Sequence, residues 1–314
     1  MEHFCTLFDH RFLPQGMALA QSLTEHCAAA ELWILCLDER LRRQLDRLGL
    51  ERVHTIALES LETPQLLAVK PKRTRAEYCY TLTPFAFDAV FEASDTVQRV
   101  TYLDADLFFF DRPDDLLNEF DKSGKHVLIT EHAFAPEYAH GTKYGRYCVQ
   151  FLTVRRTPQA RQVLSSWQQQ CLDWCYARYE NGKYGDQKYL EDWPHRFPDA
   201  IHVLEQTHRT LAPWNVSHIA QRDLALAPVF YHFHGFRIVS AERARLYFGY
   251  RINAEAYALY RNYLSRLRQC LERMNASDIE IPVLPSTGGW TWRILALWYR
   301  LRRRVAYAVI SMTA

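Results

Sequence analysis

Glycine is scarce in this 314-residue chain, with only 11 residues. A nucleotidyltransferase that builds nucleotide sugars would need a glycine-rich phosphate loop after its first strand. Asp9-His10-Arg-Phe-Leu-Pro14 stands there instead. Charge of one sign is also lacking: 38 Lys and Arg against 36 Asp and Glu leave a net +2. That near balance excludes a dedicated nucleic-acid binder. No apolar run reaches the roughly 18 uninterrupted residues of a spanning helix. No signal peptide is expected, because Glu2 and His3 lead directly into a strand-like run. The eight cysteines are thinly spread, mostly in apolar stretches where a thiol behaves as a small hydrophobe. Cys171 and Cys175 have no second pair nearby, as a zinc site would require. These absences predict a reduced, cytoplasmic protein. Its 48% hydrophobic content is enough for a sizeable core, which rules out a disordered chain.

What is present alternates strand and helix signals. Phe4 to Phe8, Leu32 to Leu37, Val53 to Leu58 and Val100 to Leu103 read as strands. Pro14 to His26 and Glu39 to Leu48, the latter closed by Gly49, read as helices. Thr83 before Pro84 reads as the N-cap of a helix through Val90. This spacing implies a mostly parallel sheet covered on both faces. Further strands are expected at His126 to Thr130, Val149 to Val154, His202 to Leu204 and Val229 to Phe233. Helices are expected at Pro158 to Tyr179 and Ala254 to Met274, and Pro282 to Gly289 reads as a linker. The predicted organisation is an α/β domain over residues 1–250 and a helical extension over 251–314.

The most informative segment is Val100-Thr-Tyr-Leu-Asp104-Ala105-Asp106. An apolar strand delivers two carboxylates at its C-terminal end, where open α/β sheets bind ligands. The chain would have to bend there for both carboxylates to meet one ion. If it does, the pair can reach one Mg²⁺ or Mn²⁺, which keeps positions free for a diphosphate. The bland alternative is a turn cap beside a solvated acid. A phosphatase with an aspartyl nucleophile would carry its acidic pair after the first strand, not the fourth.

Further along lie Gly185-Asp186-Gln187-Lys-Tyr-Leu190, Ala212-Pro-Trp214-Asn215 and Tyr231-His232-Phe-His234-Gly235-Phe-Arg237. With the Phe-Asp-His start and the acidic pair, these segments resemble the GT-A glycosyltransferases over about residues 3–250. Within them they resemble a bacterial group related to glycosyltransferase family 8. The resemblance implies a GT-A fold and metal-dependent sugar transfer from a nucleotide sugar, UDP-linked by default, with retention. The acceptor would be a glycan or a lipid-linked sugar, and the cofactor Mn²⁺ or Mg²⁺. It implies that Asp104 and Asp106 hold the metal and diphosphate, with His234 first and His232 second as the third ligand. Asp186 and Gln187 would sit by the anomeric carbon or the acceptor. Thr6 and Asp9 would contact the nucleotide, and Ala105, Gly235 and Arg237 complete the donor-binding set. One departure stands out: Cys148-Val-Gln150 replaces an expected Asn-x-Gly. It keeps open a second reading, a non-catalytic relative that binds nucleotide sugar or glycan beside a partner enzyme.

Two other groups bear on binding. Among Lys70, Lys72, Arg73 and Arg75, Arg75 is the first choice for a diphosphate contact, against a solvated loop. Trp214 and Asn215 could stack on and hydrogen-bond a sugar, or be a core tryptophan beside a turn. Finally, Trp290 to Met312 carries five arginines and no acid. Leu295, Trp298, Leu301 and Val305 recur at helical spacing, which predicts peripheral contact of residues 290–314 with the inner membrane. The alternative is an amphipathic helix packed on the domain or on a second subunit.

Overall fold

In the computed structural model, which describes residues 1–222, 226–240, 242–284 and 298–310, alternating side chains of the first strand serve two different cores. Strand β1 (Glu2–Phe8) sends Phe4 and Phe8 to one face and Cys5 and Leu7 to the other. That is the period-two pattern of a strand buried on both sides. It pairs in parallel with β2 (Ala30–Cys36), which pairs with β3 (Val53–Ala57), and on its other side with β4 (Arg99–Leu103). A short β5 (Leu107–Phe109) leaves this sheet. Next come β6 (Val127–Glu131), β7 (Tyr147–Arg155) and β8 (Ile201–Val203). The seven-stranded order is β3-β2-β1-β4-β7-β6-β8. Only β7 is reversed, antiparallel to both β4 and β6.

Helices Leu13–His26 and Glu39–Leu48 cover one face. Asp38 accepts from the Leu41 amide at 2.8 Å, Leu41, Leu45 and Leu48 point inward, and Gly49 closes the helix at φ +52°. The other face is covered by Arg75–Leu82, Ala86–Ala93 and Pro158–Asp173. Two boundaries differ from expectation. Thr83 is not an N-cap. A capping box at Thr74 and Glu77 starts the helix earlier, and Thr83 continues it at φ −48°, ψ −50°, its hydroxyl bonded to the Cys79 carbonyl. The helix expected to reach Tyr179 ends at Asp173. There Arg73 donates to the carbonyls of Cys171, Leu172 and Cys175, a capping cation supplied from far along the chain.

Two small sheets complete the fold. Strand β9 (Thr210–Leu211) and β10 (Phe230–His232) join β5, with β10 antiparallel to β5. Strand β11 (Arg237–Ser240) pairs with β12 (Arg243–Phe248), and β12 with β13 (Val305–Val309). Helix Tyr257–Ala276 presses Tyr260 and Tyr263 onto Tyr231, Phe233 and Phe236, in the same core as β1 and Leu13–His26.

The tail departs from the helix predicted for it. Residues 285–297, including Leu295, lie outside the described residues. Residues 298–301 form a helical turn, but Val305–Val309 is a strand edge-paired to β12. β-Branched and aromatic residues in Val-Ala-Tyr-Ala-Val favour that state, and an available sheet edge supplies the partner. No helix among the described residues is long and apolar enough to cross a membrane. Ile310 is fully buried in the main core. Ile310→Ala should therefore cost about 2–5 kcal/mol, measured by urea unfolding; an unchanged midpoint would instead fit a tail that packs on nothing.

Candidate active site

The C-terminal ends of β1 and β4 open into a cavity of about 650 Å³, the position where open α/β sheets receive ligands. The chain does bend after β4. The Leu107 amide bonds back to the Asp104 carbonyl at 3.1 Å, and the Asp104 amide is pinned to the Gln150 carbonyl of β7 at 3.2 Å. That turn brings both carboxylates to one histidine. His232 Nε2 lies 3.0 Å from Asp106 and 3.7 Å from Asp104. The register that places it there is set by β10 on β5, where His232 lies opposite Leu107, and by the Phe233 amide donating to the Asp106 carbonyl at 2.9 Å.

Second-in-line His232, then, is the histidine that touches both acids. His234 sits two residues further on, in the same cavity, with its ring 5.5 Å from that of His232 and 5.6 Å from that of Trp214. On the far side of the imidazole, His232 Nδ1 is 2.7 Å from the Gln150 side-chain oxygen. In the sequence Gln150 stands out only as a departure from a pattern. Its strand parity with Cys148 puts both on the site face of β7, and Cys148 lines the cavity.

The two acids titrate in opposite directions. Burial, reinforced by the Asp106 charge and opposed by His232, raises Asp104 to about 6. Burial works against ionised Asp106 as well, but the hydrogen bond and charge of His232 outweigh it and hold Asp106 well below the usual carboxylate range. The same contacts raise His232 against the burial that would lower it. A divalent cation fits these residues: ligand atoms of Asp104, Cys148 and His232 lie within 4.8 Å of one another, and Asp106 lies 3.0 Å from the same imidazole.

Across the cavity lies Asp186. Gly185 turns the chain at φ +51°, and Trp167 of helix Pro158–Asp173 donates its indole N–H to the Asp186 carbonyl at 3.0 Å. The side chain is buried and its Oδ2 has no hydrogen-bond partner. Burial, then the Asp104 charge, raise Asp186 to about 7 against a hydrogen bond from Thr83. Gln187 also lines the cavity, its amide nitrogen donating to the Tyr144 carbonyl at 3.0 Å.

Other expected residues divide clearly. Asp9, Arg75, Ala105, Trp214 and Arg237 line the cavity. Arg75 spends its guanidinium on Asp9 at 2.5 Å and Asp38 at 2.6 Å, so it fixes Asp9 rather than standing free for a phosphate. Arg237 lies over the Phe12 ring. Thr6, Asn215 and Gly235 are not on the cavity wall. Thr6 is buried inside β1; Asn215 is buried, bonding the Ala212 amide and the His132 and Thr210 carbonyls. Gly235, at φ +80°, makes the turn into β11. Arg73 is a helix cap, as described. Cavity residues that sequence reading missed include the aromatic and imidazole groups of Tyr80, His132, Phe134, Tyr144, Tyr184 and Tyr250. They come from separate segments, and nothing in their local sequence distinguishes them from core aromatics.

Comparison with known proteins bears on this geometry. No family model matches the chain. Uncharacterized protein YfnD of Bacillus subtilis (strain 168) is 30% identical over 287 residues, covering 88% of this chain and 91% of YfnD. Uncharacterized protein YfnF of the same organism is 30% identical over 254 residues, 76% of this chain and 82% of YfnF. Among solved structures, the galactosyltransferase LgtC with donor and acceptor sugar analogs superposes with a TM-score of 0.51 at 12% identity, over 93% of this chain and 99% of LgtC. An active-site mutant of LgtC gives 0.54 at 14% identity, with the same coverage. The glycosyltransferase GlyE of Streptococcus pneumoniae TIGR4 gives 0.52 at 16%, over 92% of this chain and 66% of GlyE. These likenesses establish the GT-A glycosyltransferase fold.

Asp186 yields a pH prediction. Its native pKa lies above the unfolded value, so the native state holds the extra proton between about pH 4 and 7, and stability falls as pH rises through that window. Asp186→Asn removes the penalty. It should stabilise the metal-free protein at pH 8, by up to about 4 kcal/mol, and the gain should shrink toward pH 4. Paired thermal melts at several pH values test this; a pH-independent difference would contradict it.

Proposed function

The chain belongs to the family of Bacillus subtilis YfnD and has the GT-A glycosyltransferase fold, and from these premises we propose that it transfers a sugar from a nucleotide-diphosphate sugar to a glycan or lipid-linked acceptor. The observation that carries this reading is the convergence of Asp104, Asp106 and His232 on the floor of a cavity at the end of β4. In this reading Asp104, Asp106 and His232 hold Mn²⁺ or Mg²⁺. When bound, the ion would supply neutralisation of the charge that builds on the diphosphate leaving group.

The chain's own residues supply the rest. Asp9, held by Arg75 and by its bond to the Arg11 amide, faces the nucleoside. Arg237 brings a guanidinium to the leaving-group side, where forked donors suit phosphate oxygens. Asp186 and Gln187 form the opposite wall, beside the sugar. Gln187 keeps its side-chain oxygen for the substrate because its amide nitrogen is engaged with Tyr144. Retention of configuration and a UDP-linked donor are proposed on the likeness to family 8. Membrane contact is proposed through Trp298 and Leu301, both exposed beside exposed Arg300, Arg302 and Arg303. That patch pairs apolar insertion with charge toward anionic lipid.

A panel of nucleotide sugars with Mn²⁺ or Mg²⁺, read by nucleoside diphosphate release, tests the activity. At least one donor should be turned over. Asp106→Ala and His232→Ala should each abolish metal-dependent binding of the diphosphate in calorimetry, whereas His234→Ala should retain it. Asp186→Asn should cut transfer on the order of a hundredfold with donor affinity nearly unchanged. Tight donor binding with no turnover of any donor would favour the non-catalytic reading.

A further inference from the structure

Cys148 packs with Ala135, Tyr138, Ala212 and Trp214 at the edge of the site. It is buried on the site face of β7, lines the cavity, and its sulfur lies within 4.8 Å of ligand atoms of both Asp104 and His232. A tetrahedral zinc-type site with one sulfur, one nitrogen and one oxygen ligand has edges of about 3.4–3.6 Å, from the usual bond lengths. The Asp104–His232 edge is 3.7 Å, so side-chain rotations of about an ångström close the set.

A second observation makes the imidazole a prepared ligand. Gln150 is fully buried, and its side-chain oxygen meets His232 Nδ1 at 2.7 Å while its amide nitrogen has no partner. An oxygen can only accept, so Nδ1 carries a proton and Nε2 is the atom directed at Asp104 and Asp106. Histidine ligands in metal sites are commonly fixed this way, through the nitrogen that does not touch the ion. The two residues that depart from the expected pattern, Cys148 and Gln150, thus act on the same histidine.

We propose that Asp104, Cys148 and His232 form a site for a thiophilic divalent cation of the zinc and cadmium class, overlapping the site that Asp104, Asp106 and His232 provide for Mn²⁺ or Mg²⁺, with Gln150 as the positioning residue of both. The proposal rests on the metal assignment of the preceding section, with which it shares two ligands. On binding, the Cys148 S–H bond and the His232 Nε2–H bond break, sulfur–metal and nitrogen–metal bonds form, and both protons pass to the buffer. Thiolate selects soft cations and carboxylate selects hard ones, so exchanging Asp106 for Cys148 exchanges the preferred ion. Because the sets share Asp104 and His232, the two ions exclude each other, and zinc inhibits the Mn²⁺-loaded protein competitively.

The test uses the full-length, metal-free protein titrated with Cd²⁺, read by the near-ultraviolet thiolate-to-cadmium charge-transfer band. The wild type should show a band saturating at one equivalent. The band should be lost in Cys148→Ser and in Cys148→Ala, and retained in Cys79→Ser, whose thiol is the one cysteine that is not buried. Gln150→Leu should keep the band but weaken Cd²⁺ binding by about 10–100-fold. No band in the wild type, or an undiminished band in either Cys148 variant that circular dichroism shows to be folded, overturns the proposal. Electron paramagnetic resonance of Mn²⁺ with UDP separates the two readings. Mn²⁺ binding that persists while the cadmium band is absent leaves the transferase reading standing and sinks only the soft site. Loss of Mn²⁺ binding in the wild type sinks the metal assignment itself.

Discussion

The contact on which the site depends is that of His232 with Asp106. Taking two carboxylates out of water is costly unless positive charge or hydrogen bonds meet them. The loop after β4 does this by ending the strand at Asp104, turning, and running antiparallel to β10 through β5. The three-residue pairing of β5 with β10 therefore has two consequences. It seals the lower core, where Phe109 packs on Phe230, and it delivers an imidazole to the only place where the acids converge among the described residues. A slip of one residue in that register would turn His232 away from the cavity and leave Asp106 without its partner.

The rest of the fold holds this register in place. Behind β10, Tyr231 meets Tyr260 and Phe233 stacks on Tyr263 at 3.8 Å between ring centroids. Helix Tyr257–Ala276 therefore clamps the strand that carries the histidine, and itself rests on Leu13–His26. On the opposite side, β7 runs against its neighbours' direction and places Gln150 behind the imidazole. The site is built at a junction of three sections of the chain, β7, β10 and the turn between β4 and β5, and that turn is pinned by backbone hydrogen bonds to β7 and from Phe233. Such support keeps ligands within the narrow tolerance that binding chemistry demands.

The electrostatics follow from this geometry. Asp104 and Asp106 have the same side chain and are two residues apart, yet one is raised and the other lowered because only one has the imidazole at hydrogen-bond distance. Asp186, across the cavity, has no cation and holds its proton toward neutral pH. Divergent environments for chemically equal groups are a mark of sites that divide roles between them.

Much of this was determined locally and was legible in the chain. Alternation in Phe4–Phe8, the Asp38 and Gly49 caps, and the apolar run into Asp104 specify their elements because the forces involved act within a few residues. The acidic pair and Asp186 could be named from such context, as could the α/β layering. The tertiary structure decided the rest. Two histidines stand two residues apart in Tyr231-His-Phe-His-Gly235, and no local rule separates them; the cross-strand register does. Arg73 and Arg75 look alike in a basic cluster, but one caps a distant helix and the other bridges Asp9 and Asp38. Asn215 and Thr6 sit within motifs that resemble binding segments, yet burial commits them to the backbone and the strand interior. In the tail, helical spacing was a true property of the residues, but an open edge at β12 offered hydrogen bonds that an isolated surface helix could not match. Spacing is encoded along the chain, whereas partners are set by which distant segments the fold brings within a few ångströms.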